Sequence, residues 1–232
     1  MTSMLDAFKE VFSDHLSIAK LAIFTAPIFY LYQLYLITKT FTSDMFWILC
    51  GTLFFLFGFL IEITNNVINE KDSILPNLNP FRIAYDSVKG IIAVGPSFVI
   101  SCFIAYYLCS TINIVPWLDN SFKTTIWLVF SSIFIMAYLL FAQRKKILEA
   151  FNFKILGKKS GDLIVMILMF VLQLVVMNAV TTGFVAYTVF ILFGYGPVFN
   201  FTLEFALIFN IAATGHYMAQ VHYEVLTYDK TK

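Results

Sequence analysis

Seven polar side chains stand inside stretches that are otherwise apolar: Asn178, Thr181, Thr182, Glu204, Asn210, Thr214 and Tyr217. A carboxylate at membrane depth is costly to desolvate and is a site hypothesis wherever it occurs. Glu204 follows Gly196-Pro197 by about two helical turns, which expects it in the outer third of a bilayer, where it could couple a proton or a cation. The commoner role for such a residue is structural: bracing the Gly194-Tyr195-Gly196-Pro197 turn or reaching the outer interface. Asn210, Thr214 and Tyr217 follow one another at four and three residues, so they share one helical face, with Gln173 and Asn178 as candidate hydrogen-bond partners. Asn178, Thr181, Thr182 and Gly183 cluster midway along a long apolar stretch, where they permit a kink or a close helix contact. An unwound segment there would resemble a transporter binding site, although packing through Thr and Gly is the commoner use of such residues.

Other chemistries fit less well. Gly95-Pro96-Ser97 with His216 faintly resembles an intramembrane serine protease. A nucleophilic serine needs a base and an oxyanion hole, yet no second glycine follows Ser97 and Pro96 has no N–H to donate. No phosphate-cradling glycine loop, HExxH pair or paired-aspartate motif occurs. Cys50, Cys102 and Cys109 fall in apolar stretches as small core residues, and the Cys102/Cys109 spacing lacks the His or carboxylate a metal would need. His15 and His222 flank the apolar stretches as interfacial packing residues. No catalytic residue, metal ligand or cofactor site is expected, and the chain is expected not to be an enzyme.

The elements that must position these residues are membrane spans. Hydrophobic residues make up 60% of the chain, charged residues only 12%, and there are 27 Phe. Six apolar blocks approach or exceed the roughly 20 residues a spanning helix needs: 21–38, 45–64, 91–112, 124–142, 163–193 and 198–218. Runs such as Leu53-Phe54-Phe55-Leu56-Phe57 are apolar on all sides, which excludes the alternation of a membrane β-barrel. The expected fold is therefore all-α, a polytopic helix bundle forming one integral membrane domain over 1–232. Charged residues within Met1–Lys20 leave no uninterrupted core for a signal peptide. The net charge of +1 argues neither for nor against a nucleic-acid partner, but no basic stripe interleaves with exposed aromatics, so none is expected.

With six spans, both termini and the second and fourth connections share one side. That side carries 13 of the 15 Lys and Arg, leaving only Lys39 and Lys123 opposite. Basic residues near span ends set orientation, so both termini are expected in the cytoplasm of a cell membrane. Trp47, Trp117 and Trp127 fit the opposite interfacial belt. The fifth block would run about 46 Å as a straight helix, so it must tilt, bend or protrude. Glu62, near the cytoplasmic end of its span, is expected to reach headgroup water.

The chain also matches itself. Phe12, Leu16 and Lys20 align with Phe81, Tyr85 and Lys89, and these with Phe151, Ile155 and Lys159; Pro27 aligns with Pro96. This divides the chain into units of about 1–70, 71–143 and 144–232, each expected to hold an interfacial amphipathic helix followed by a transmembrane hairpin. In the first unit Leu5, Phe8, Phe12, Leu16 and Ala19 form the apolar stripe. Such helices would seat their stripe at the headgroup boundary or on the bundle and hold their Lys and Arg near anionic lipid, making the bilayer the first expected partner.

Residues 58–90 carry a further pattern: Gly58-Phe59-Leu60-Ile61, a polar stretch, Leu75-Pro76, then Phe81 and Lys89-Gly90 at the entry to the next span. This resembles a multi-pass membrane family of bacteria and archaea known only as a domain of unknown function. The resemblance implies several spans with short amphipathic helices between them, and no particular activity. The expected function is that of a non-enzymatic structural or accessory subunit of a membrane complex, with other membrane-protein subunits as partners. The alternative is a transporter or permease component for a small molecule, ion or lipid, although three units do not make the paired inverted halves of a standard carrier.

Overall fold

Four local stop signals divide the apolar sequence into helices. Leu16 adopts a left-handed conformation (φ 58°) and turns the chain between α1 (Met4–Ser13) and α2 (Ser17–Thr38). Lys39, also left-handed, closes α2 by donating its N–H to the Tyr35 carbonyl, and the Thr42 hydroxyl accepts from the Met45 N–H to open α3 (Ser43–Ile68). Asn79 caps α4 (Pro80–Thr111) by accepting the Arg82 N–H at 3.2 Å, with Pro80 at the first helical position. Gly194 (φ 68°) ends α6 (Phe153–Phe193) before Pro197 starts α7 (Pro197–His222). Between them lie α5 (Pro116–Arg144) and a short 3-10 helix, Ile147–Phe151.

This computed structural model describes residues 4–14, 16–111 and 116–224, without the side chains of 116–118, 120, 128, 153–163, 167–172 and 174. Trp117, His15, Lys154, Lys158, Lys159 and the last eight residues therefore lie outside the described residues or side chains. The described chain is an all-α bundle, and six helices, α2 to α7, are long and apolar enough to cross a membrane. The protein is a multi-pass membrane protein.

The six helices alternate in direction. One end of the bundle, here the basal end, carries α1, the 69–79 loop, the 3-10 helix and the last turns of α3, α5 and α7. The distal end carries the tight connections 39–42 and 194–196. The core thickens toward the basal end, where α5 is buried on all sides from Ile135 to Ala142. Glycines set the closest approaches: a Cβ on Gly58 would collide with the Ile83 carbonyl and Ser87 Oγ, so α3 and α4 touch backbone to backbone there. Trp47 and Trp127 are exposed on α3 and α5.

The segments preceding the three hairpins take three forms. Only the first is a separate helix, α1. It docks Met4, Ala7, Phe8 and Val11 on the bundle and leaves Leu5, Phe12 and Leu16 exposed, so the buried face is rotated from the expected stripe. The second, Phe81–Lys89, is the first turns of α4, because after the Asn79-Pro80 start nothing interrupts the helix. The third begins as the 3-10 helix Ile147–Phe151 and continues into α6. Lys20, expected near lipid, is 8% exposed and turned inward.

Candidate functional site

Buried ion pairs tie the basal ends of α3, α4 and α5 together. Glu62 on α3 is 1% exposed. Arg82 donates to it twice, Nε to Oε1 at 2.5 Å and Nη2 to Oε2 at 3.1 Å. The Lys145 ammonium lies 2.6 Å from Glu62 Oε1 and 2.7 Å from Oδ2 of Asp86, which is also buried. Two carboxylates face two cations, so the cluster is neutral as a whole, the condition under which buried charges are tolerable. Lys145 reaches both acids because it leaves α5 in a left-handed conformation (φ 54°), donating its N–H back to Phe141. The expectation that Glu62 meets headgroup water is thus corrected: Arg82 and Lys145 replace water around it. Residues 20 and 83 positions apart supply the pairing, and the only signal in the sequence is that all four charges lie near span ends on one side.

Amide side chains finish the same seam. Asn65 Nδ2 donates to the carbonyls of Ala142 (2.7 Å) and Gln143 (3.1 Å), satisfying the C-terminal turn of α5 from α3. Tyr138 shares a 2.7 Å hydrogen bond with Thr64, whose hydroxyl also lies 3.1 Å from the Gly215 carbonyl of α7.

The 69–79 loop is held from the α1–α2 corner. Asp14 Oδ2 accepts from the N–H groups of Ile74 (2.8 Å) and Leu75 (3.0 Å), while its Oδ1 pairs with Lys20 at 2.9 Å. Lys20 also donates to the Leu75 carbonyl at 2.8 Å. Between this loop and α3 lies a polar cleft of ≈ 440 Å³. Lys71 donates across it to Asn65 and Asn66, and partial burial holds its ammonium pKa below the usual value. Tyr223, at the end of α7, donates to the Ile68 carbonyl at 2.8 Å and has its phenol pKa raised by desolvation and by Glu70.

Part of the expected polar set assembles in the membrane-spanning region. Thr181 Oγ1 on α6 lies 3.2 Å from Asn210 Oδ1 on α7, and Asn210 Nδ2 donates to Thr182 at 3.1 Å. Thr214 donates to the Asn210 carbonyl at 2.8 Å. Tyr217 is buried in the core on the same helix, and Asn178 is half-buried on α6. The face of α7 therefore meets α6 through the two threonines. Glu204 stands apart, with its Oε2 buried and without a hydrogen-bond partner, so that oxygen does not brace the Gly194–Pro197 turn.

Two readings are overturned. Helix α6 runs unbroken through Asn178–Gly183, with Thr181 donating to the Met177 carbonyl of the preceding turn, so no unwound midplane segment forms there. The Ser97/His216 dyad is not assembled either. His216 Nε2 is 2.5 Å from Glu10 Oε2 on α1, and its Nδ1 is 3.2 Å from the Gln220 amide, so both ring nitrogens are engaged elsewhere. His222 is buried and packs edge-on against Tyr223. A second cavity of ≈ 400 Å³, among Phe57, Gly90, Phe98, Phe134 and Met218, is wholly apolar.

No family model matches the chain, and no curated protein or solved structure matches it either.

Proposed function

We propose that this protein is a non-enzymatic subunit, structural or accessory, of a membrane complex, seated in a cell membrane with both termini in the cytoplasm. The orientation is supported by the excess of Lys and Arg at the basal end. The subunit role is carried by one observation: no residue of α6 from Val175 to Phe193 is buried within the chain. Phe184, Tyr187 and Ile191 are each more than 60% exposed along it, and Ala179 and Gly183, also exposed, stand one turn apart just before them. Helices in lipid associate by van der Waals packing where small residues let backbones approach, and this rib offers that geometry to a partner helix. The basal charges support the same reading, because they brace the bundle rather than line a path through it.

The test is purification in a gentle detergent after crosslinking in the membrane. The wild type is expected to retain a membrane-protein partner in fixed stoichiometry, and Gly183→Leu to lose it while keeping its own fold, since a Cβ at Gly183 meets nothing within 4 Å. A lone monomer under every gentle condition contradicts the proposal.

The buried, unpartnered oxygen of Glu204 favours a second reading, a transporter or permease component. Glu204→Gln abolishing flux in reconstituted vesicles would support it; the same flux in both proteins would remove the residue from any such role.

A further inference from the structure

One face of α3 passes through two cavities of opposite character. Ile48, Thr52 and Phe55 line an apolar groove of ≈ 600 Å³ between α2, α3 and the start of α4. Continuing along the same face at steps of four and three, past Phe59, come Glu62, Asn66 and Asn69, which line the polar cleft of ≈ 440 Å³ at the basal end. The chain from Leu75 to Ile83 forms the shared rim, with Leu78, Pro80 and Ile83 on the groove and Leu75, Pro76, Asn77 and Arg82 on the cleft. From Ile48 to Glu62 the helix rises about 21 Å, enough to follow an acyl chain through one leaflet of a core about 30 Å thick.

We infer that this composite cavity is a binding site for a single phospholipid with an ethanolamine-type head, its chain in the α2/α3 groove and its head in the 69–82 cleft. Water does not compete for the groove, because it opens among residues that face the bilayer: Ile23 is 56% exposed beside it. The head end offers both signs of charge. Glu62 holds Nε and Nη2 of Arg82, whose side chain is 57% exposed, leaving Nη1 to donate to a phosphate oxygen in a fixed orientation. Asn65 and Asn66 take two of the three Lys71 donors and leave the third for the same phosphate. Asp72 and Glu70, both exposed on the lip of the cleft, are the complement for the head's ammonium. A purely anionic head would leave those carboxylates facing like charge. Two cations and two exposed carboxylates around one cleft match a zwitterion.

The site can be closed without touching the ionic brace. Gly51 lines the groove, and a Cβ there meets nothing within 4 Å, so Gly51→Leu fills the chain channel without an internal clash. The experiment reconstitutes the full chain in nanodiscs of mixed phosphatidylethanolamine and phosphatidylglycerol, extracts it into mild detergent, and counts retained lipid by native mass spectrometry. The wild type is expected to keep one phosphatidylethanolamine, enriched about tenfold over its bulk fraction, a difference of about 1.4 kcal/mol. Gly51→Leu is expected to lose it, and the double variant Glu70→Gln with Asp72→Asn to keep a lipid without headgroup preference. Thermal melting of each variant confirms that it is folded before lipid is counted. Retention by folded Gly51→Leu equal to wild type, lipid retained in bulk proportions, or preference for phosphatidylglycerol each overturns the inference.

Discussion

Lys145 holds two buried carboxylates with one ammonium, whereas Arg82 holds one and is itself largely exposed, so the two cations are not equivalent. Removing Lys145 leaves Glu62 and Asp86 close together with their shared cation gone, and breaking a buried pair in this way costs about 3–5 kcal/mol. Removing Arg82 takes away a bond whose cationic side solvent already screens, with a cost nearer the 0–1 kcal/mol of exposed pairs. Lys145→Met is therefore expected to lower the melting temperature in detergent much more than Arg82→Met. Equal shifts would mean that the brace does not work as described. At this scale the sequence was only partly legible. That Asn210 and Thr214 share a face followed from their spacing, but their meeting with Thr181 and Thr182 depends on how α6 lies on α7. The ionic brace was missed because a charge at a span end looks the same whether it points to water or to a partner 83 residues away.

Helix contacts decide what glycines do here, and two on α3 make the contrast. A methyl at Gly58 must push the α4 backbone away, because the obstructing atoms include the Ile83 carbonyl rather than a mobile side-chain end. A methyl at Gly51 meets open space. Replacing a helical glycine by alanine is intrinsically favourable by up to about 1 kcal/mol, while overpacking costs about 1–3 kcal/mol. Gly51→Ala is thus expected to be neutral or stabilising and Gly58→Ala destabilising, read as opposite shifts in thermal unfolding. The number of spans was the most legible feature, since each apolar block marks one helix, whereas the starts of α4, α5 and α6 lie well before the apolar blocks because polar and amphipathic turns precede them without a stop signal. The unbroken course of α6 was less legible: Thr and Gly in a midplane cluster are compatible with both a break and a packed helix, and the Thr181 bond to Met177 within the helix resolves it. The amphipathic segments were read as three alike, but without a stop signal the second merged into α4, and only Leu16 turned the first into a helix of its own.

The whole molecule is a membrane bundle whose buried polar ties gather at one end. The buried ion pairs, amide caps and the Asp14 grip on the 69–79 loop gather at the basal end, while the distal half of α6 contributes no buried residue. That asymmetry fits a protein anchored by its own basal packing and free to associate through its spanning helices. Six crossings with the basal end inside the cell underlie the proposed role, and single-cysteine labelling in intact cells probes both together. In a background with Cys50, Cys102 and Cys109 replaced, cysteines at Asp72 and Lys146 are expected to resist a membrane-impermeant maleimide until the cells are opened, and cysteines at Thr40 and Tyr195 to react at once. Reaction of Asp72→Cys or Lys146→Cys from outside intact cells would place the basal end outside and overturn the proposed orientation.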